Sequence, residues 1–504
     1  MKPNHKLVPL LILVFITVWF RLVHLGYSSY EPDEQKALYL PRSNQTLIDY
    51  LLEQRKGPVQ FLATYLARYL TPDYENTFIT RLPFALAGIL AVYFFYRLLN
   101  IHYEGKIALY GSILLSVNGL IVALTRVVQY QGFVMLFTIS ALYAISLAIE
   151  DERWRITGIY LGMFLWAGGM LTHYDAIFIA PFAGYLFYKW YWKWNSLEKS
   201  TKRWHLGLSI LGSFLIVASF YIPLFFSVSD ATLDYWQYRV TGVSDTLPPS
   251  SSIFIFRLYN PLLVLEVYFV LGILSLLKIR QNWPVVLWFL FPLIILEGLI
   301  QEPGTHIYTY VIPATILAGF GVQVIDELYN KGWKRFLPKA KMRSTLFLFF
   351  LVVLFGGLTS LSQVMFIDHP PEYPWETKKF LIAKIGGLRK SDYKVWTYGF
   401  PYNRHWPEIR DYIMSNNPNG YYSTNEDKSL TNYYIPQVNS VELSGYYIHV
   451  HSPMDLKEAI AKPKINYWIS KYPPVKVFVN GDVVVSEIYR MPPGSLDEII
   501  RRGY

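Results

Sequence analysis

Three observations predict a polytopic α-helical membrane protein carrying a C-terminal α/β domain. Apolar runs fill residues 7–363, residues 364–504 read as water-facing, and Lys and Arg gather in alternate connections between the runs. The composition agrees, since 53% of the 504 residues are hydrophobic and only 16% are charged, against about 25% charged in soluble domains. Aromatic residues reach 17%, and such rings favour membrane interfaces. The formal charge of +10 lies between apolar runs, so it is read as membrane orientation and not as a nucleic-acid surface. Without cysteine there is no disulfide scaffold, no zinc–thiolate site and no catalytic thiol.

A crossing helix needs about 20 mainly apolar residues, and about eleven segments qualify. They lie near 7–27, 79–97, 107–125, 132–149, 157–173, 176–192, 206–227, 257–277, 283–300, 308–326 and 344–363. The first has a basic start and an apolar core but no small-x-small cleavage site, so it reads as a retained helix. The short neighbours 157–173 and 176–192 are expected to form a tight hairpin. With the N-terminus cytoplasmic, the inside connections hold the runs Lys189 to Arg203 and Lys331 to Arg343 among other cations. The outside connections after spans three, five and nine, with 228–256, hold only Arg126 and Arg239. That asymmetry predicts a plasma-membrane protein with an odd span number and an extracytoplasmic C-terminal domain. The membrane domain is set at 1–363, its first outside connection at 28–78 with juxtamembrane helices, and the soluble domain at 364–504.

Every feature with chemical potential falls on the outside face. The 28–78 connection offers Tyr30-Glu31-Pro32-Asp33-Glu34-Gln35-Lys36 and Glu53-Gln54-Arg55-Lys56-Gly57-Pro58. Arg126 to Gln131 follows span three, Thr172-His173-Tyr174-Asp175 follows span five, and Gln301 to Tyr308 follows span nine. Each alone reads as an interfacial anchor or a helix cap; gathered on one side, they predict a shared cavity at the membrane surface.

The same residues carry a resemblance. Asp33-Glu34-x-Lys36 resembles the Asp-Glu element of polyprenyl-phosphate-sugar-dependent GT-C glycosyltransferases, which include protein O-mannosyltransferases and lipid A aminoarabinose transferases. Lys56-Gly57-Pro58-Val59 is similar to their Lys/His-Pro-Pro-Leu element, with Gly57 in place of the first proline. Arg81-Leu82-Pro83-x-Ala85-Leu86-x-Gly88 matches the opening of their second span, and Arg126 to Gln131 and His306-x-Tyr308 with Pro313 fit weaker patterns. The resemblance covers about residues 7–326 and implies a GT-C membrane domain that transfers a sugar, with inversion, from a polyprenyl- or dolichyl-phosphate carrier. The acceptor hydroxyl would belong to a protein, lipid or glycan outside the cytoplasm. It implies Asp33 as general base, with Glu34 beside it orienting the acceptor or holding Lys36.

Transfer from a phosphate also needs cations for the departing group. The resemblance points to Lys56; Arg126, Arg239, Arg257 and Lys36 are further candidates, each also readable as an interfacial residue. His306 and Tyr308, with Tyr130, His173 and Asp175, are candidate substrate contacts. His173, Asp175, Glu302 and His306 are metal-ligand types without tight ligand spacing, so a divalent ion is left open. The connection 228–256 reads equally as a lid or as a long link.

In the C-terminal region, strands are expected at 394–398, 445–450 and over the hairpin 475–485, with helices at 407–415 and 454–461. Tyr421 and Tyr422 suit either sugar stacking or a core. The WWDYG signature of oligosaccharyltransferases is absent. A different class, a transporter or flippase of lipid-linked glycans, would place charges inside its spans and often shows internal repeats. The charges here gather at one surface, and Asp33 with Lys56 counts against a non-catalytic assembly subunit.

Overall fold

The computed structural model describes residues 7–194, 197–241, 252–331, 340–369, 378–385, 397–418, 420–440, 443–454, 469–470, 472–490 and 492. Parts of the strand expected at 394–398 and of the helix expected at 454–461 lie outside the described residues, as does the Pro248-Pro249-Ser250 end of the 228–256 connection.

The chain is a multi-pass membrane protein built on a helical bundle. Among the described residues, six helical runs are long and apolar enough to cross a membrane: Thr77–His102, Gln131–Glu150, Lys199–Ser227, Val264–Gly298, Gly304–Asn330 and Ala340–Phe366. Shorter apolar helices cover Val8–Leu22 and Gly105–Val117. Two breaks explain much of the difference from the expected eleven. The predicted span 107–125 stops at Val117, where Asn118 turns the chain and its side chain accepts the amides of Leu120 and Ile121 to start Gly119–Leu124. The predicted span 257–277 is interrupted around Leu262, which has φ +62°, between Ser252–Tyr259 and Val264–Ser275. A 3-10 turn then joins that second piece to Ile279–Gly298. These two breaks touch. A Cβ on Gly119 would lie 1.8 Å from the Tyr259 carbonyl oxygen, so only glycine permits the approach.

The expected hairpin of 157–173 with 176–192 is replaced by another arrangement. A 3-10 stretch, Tyr174–Ile179, leads into Ala180–Lys193, which packs on Gln131–Glu150 and on Ile279–Gly298. One end of the bundle is sealed by ion pairs, Lys106 with Asp326 at 2.7 Å, Lys193 with Glu150 at 2.6 Å and Lys278 with Glu327 at 2.8 Å. The other end carries short helices Pro32–Gln35, Leu47–Leu52 and Val59–Ala67.

The C-terminal region forms a four-stranded sheet in the order Tyr422–Thr424, Tyr446–Val450, Val483–Arg490, Lys476–Asn480. The first pair is parallel and the other two are antiparallel, and the Asn480-Gly481 hairpin falls where the sequence puts it. Helix Trp406–Asn416 matches expectation, whereas Lys428–Tyr434 and the small hairpin Lys378–Phe380 with Ala383–Ile385 were not foreseen. Tyr422 is core, and Tyr421 is half-exposed. Trp406, Ile409, Ile448 and Ile488 share a hydrophobic core with Tyr30, Leu38, Tyr74 and Val128, so this sheet domain is packed onto the 28–78 connection.

Candidate functional site

The sequence Glu31-Pro32-Asp33-Glu34 makes its own short helix. Pro32 presets φ at the first position, and the Glu34 carboxylate accepts the Glu31 amide at 3.0 Å. That geometry splits the two adjacent acids. Glu34 turns inward and is fully buried, its Oε1 and Oε2 accepting from Nε and Nη2 of Arg81 at 2.8 and 2.7 Å. Its Oε1 also accepts the Val128 amide at 2.8 Å. Asp33 turns the other way, its side chain 23% exposed, and Lys36 donates to its Oδ1 at 2.9 Å. Thus Asp33, and not Glu34, holds Lys36.

Asp33 lines a cavity of about 520 Å³ together with Lys36, Lys56, Tyr130, His173, Arg239 and His306. Seven residues proposed from the sequence therefore share one space. Lys56 reaches it from the turn before Val59–Ala67, donating to Gln129 Oε1 at 3.0 Å with its Nζ 4.8 Å from the centre of the Tyr130 ring. Gln129 in turn donates to the Asp33 backbone carbonyl at 2.8 Å, which ties Asp33 and Lys56 to one side chain. Gly57 places Lys56: a Cβ there would lie 1.9 Å from the Leu171 carbonyl oxygen, so proline is as impossible as alanine. Gly57→Ala is expected to cost about 1–3 kcal/mol through overpacking and to weaken whatever Lys56 binds, measurable by thermal unfolding and by lipid-phosphate affinity.

The electrostatics are mutual. Burial alone would raise the Asp33 pKa, but Lys36, Lys56 and the Tyr398 hydroxyl together hold it below the ordinary aspartate value. Burial lowers the Lys56 pKa, and Asp33 opposes that. Glu31 is held well above the usual carboxylate range by burial and by the neighbouring Glu34 charge.

Across the cavity, His173 stacks on Tyr130 with ring centres 3.9 Å apart and planes within 8°. Asp175 is buried behind His306 and accepts from its Nδ1 at 2.8 Å. Among the described residues, His173, Asp175 and His306 bring one ligand atom each within 4.8 Å of one another, a donor set suited to a divalent ion. Glu302 does not join them, pairing instead with Arg239 at 3.5 Å. Helix Asp230–Thr241, within the connection left open as lid or link, lines the cavity with Tyr235, Trp236 and Arg239.

Five predicted site residues do not line the cavity: Asp175, buried behind His306, and four more. Glu34 is enclosed as described. Arg126 is buried and donates to the carbonyls of Phe20 and Val23 at 2.7 and 2.9 Å, capping the end of the first helix. Arg257 pairs with Glu266 at 2.5 Å and does not line the cavity. Tyr308 is buried beside Asp175. Sequence reasoning missed Arg55, Tyr235, Trp236 and above all Tyr398 as lining residues. Arg55 sits next to Lys56, which was a signal, whereas Tyr398 had none.

The crystal structure of ArnT from Cupriavidus metallidurans bound to undecaprenyl phosphate superposes with a TM-score of 0.50 at 10% identity, covering 97% of this chain and 98% of that one. The oligosaccharyltransferase AglB from Archaeoglobus fulgidus, in complex with an inhibitory peptide and a dolichol-phosphate, superposes with a TM-score of 0.52 at 12% identity over 89% of this chain and 70% of that one. The chain has the GT-C fold. Within it, residues 56–222 match the family described as dolichyl-phosphate-mannose-protein mannosyltransferase. No curated protein sequence matches the chain. In this GT-C chain the matched segment begins at Lys56 and includes Tyr130 and His173, three of the cavity's lining residues.

Proposed function

We propose that the chain is an inverting glycosyltransferase that moves a sugar from a polyprenyl- or dolichyl-phosphate carrier to an acceptor hydroxyl on a protein, lipid or glycan outside the cytoplasm. The observation that carries this reading is the cavity itself, where a part-exposed carboxylate, Asp33, faces two cations, Lys56 and Arg239. Undecaprenyl phosphate and dolichol-phosphate in the two GT-C structures support the donor class.

The chemistry follows from those groups. The acceptor oxygen attacks the anomeric carbon while its proton passes to Asp33. The bond from that carbon to the phosphate oxygen breaks with its electron pair on the phosphate, and the carrier leaves as a phosphate monoester anion. Lys56 and Arg239 hold that anion, so no strong general acid is required. Direct displacement inverts the anomeric centre. A low Asp33 pKa keeps the carboxylate ionised through the neutral range. In this reading the N-terminus is cytoplasmic, the membrane domain spans 1–363 and the domain 364–504 lies outside, as the positive-inside asymmetry of the connections supports.

The test is sugar transfer in native membranes with a panel of labelled polyprenyl-phosphate sugars. Transfer is expected from at least one donor, and Lys56→Met should raise KM for it. A charge-assisted contact of about 1.5–3 kcal/mol corresponds to roughly 10- to 100-fold. A wild-type protein that binds these lipids and transfers none of the sugars would sink the reading in favour of transport.

A further inference from the structure

We infer that the C-terminal domain completes the active site, with Tyr398 as the positioning residue of the Asp33 carboxylate. This rests on Asp33 being the base. The stretch Thr397 to Tyr402, ahead of the sheet domain in the chain, lies against the membrane domain and is held there at Tyr398, Gly399, Phe400 and Tyr402. The Tyr398 hydroxyl donates to Oδ2 of Asp33, and its amide donates to the Tyr259 hydroxyl at 2.9 Å. The Gly399 amide donates to Glu31 Oε1 at 2.7 Å. Gly399 has φ +70°, and a Cβ there would lie 2.6 Å from Ala123 Cα, so glycine is required on both counts. Phe400 is fully buried between Tyr259 and Phe366, its ring centre 5.3 and 5.1 Å from theirs with near-parallel planes. The Ser29 amide donates to the Tyr402 carbonyl at 2.8 Å and closes the segment onto the residues leading into Pro32–Gln35.

This anchoring gives the two Asp33 oxygens different tasks. Oδ2 is occupied by a hydroxyl whose ring is buried and cannot swing. Among the described residues Oδ1 accepts from Lys36, whose side chain is 59% exposed and able to yield to an incoming hydroxyl. Tyr398 thereby fixes the carboxylate plane and presents Oδ1 to the cavity. The charged and titratable groups facing Asp33 are Lys36, Lys56 and Glu31 from the 28–78 connection, Tyr398 from the C-terminal segment and, across the cavity, Tyr130, His173, Arg239 and His306.

Tyr398→Phe in the full-length protein tests this, since it deletes one oxygen and keeps the ring. The expected result is a kcat on the order of 10-fold lower with KM for the lipid-phosphate sugar unchanged. A hydrogen bond to the ionised form favours that form. Its loss makes Asp33 hold its proton to higher pH, so the acid limb of the rate profile moves upward. Retained binding of the carrier lipid phosphate establishes that the variant is folded. A variant with wild-type kcat and limb, or one whose rate falls equally at every pH, overturns the inference. Asp33→Asn run alongside separates the two claims. An active Asp33→Asn removes the base assignment, whereas an inactive Asp33→Asn with an unaffected Tyr398→Phe removes only the role of Tyr398.

Discussion

Asp33→Asn is expected to lower sugar transfer by about 10²- to 10⁴-fold while carrier-lipid binding and thermal stability stay near wild type. The exchange keeps the side chain's shape and leaves a carbonyl oxygen that can still accept from Tyr398. It removes the oxygen pair proposed to take a proton from the acceptor hydroxyl. Asp33 is part-exposed at the cavity wall, its direct partner Lys36 is exposed, and Lys56 keeps its hydrogen bond to Gln129, so the exchange should cost little stability. Lys56 and Arg239, the proposed phosphate-holding cations, stay in place in the cavity. The loss should therefore fall on kcat and spare KM for the donor, the pattern of an interaction made only in the transition state. Initial rates at saturating donor decide it. Activity within a few-fold of wild type would place the base elsewhere in the cavity. The pH dependence has a sign as well. Lys36, Lys56 and Tyr398 keep the folded-state Asp33 below its ordinary value despite burial, so wild-type activity should persist on acidification until below the usual aspartate range. Any stability from these contacts is likewise present at neutral pH and lost only as pH falls through that lowered value.

Much of this site could be read from the sequence because it obeys a parity rule. Polar groups that follow the first, third, fifth and ninth of the expected spans are expected on one face. Asp33, Lys56, Tyr130, His173 and His306, far apart in the chain, therefore converge on one cavity. The rule assigns a side and not a direction. Asp33 and Glu34 are neighbours with the same charge, yet one helical turn sends the first to the cavity and the second to Arg81. Arg126 and Arg239 look alike as lone outside arginines. What separates them is that the first helix ends at Leu22 and leaves the Phe20 carbonyl and the nearby Val23 carbonyl for Arg126 to satisfy, an end point that a uniformly apolar run conceals. The helix breaks at Asn118 and around Leu262 escaped notice for the same reason. Hydropathy counts apolar residues, whereas the breaks are set by the close approach of Gly119 to Tyr259. Tyr398 lies 365 residues from the carboxylate it touches, in a region with no family pattern, and nothing local marks it.

Arg81→Met is expected to destabilise the folded protein by about 3–5 kcal/mol, seen as a lower unfolding midpoint in detergent and a loss of folded yield. Arg81 is almost fully buried and meets Glu34 through two parallel hydrogen bonds. Removing the cation leaves a carboxylate enclosed and unpaired. Ordinary buried pairs can be replaced together by apolar residues at little cost, and on that rule Glu34→Leu would rescue Arg81→Met. The geometry argues otherwise. Arg81 Nη1 also donates to the Leu25 and Ser28 carbonyls, each at 3.0 Å, and Nη2 to that of Ser29 at 2.9 Å. Glu34 serves the amides of Val128 and Glu31. The double exchange would strip partners from three buried carbonyls and two amides, each costing about 1–3 kcal/mol when left unsatisfied. The double variant should thus be no more stable than Arg81→Met alone. A recovered midpoint would mean that the pair is a simple salt bridge. A failed rescue means that it is the joint where the first helix, the Asp33 turn and the bend at Val128 are held together, and that Asp33 points into the cavity because its neighbour Glu34 is locked behind it.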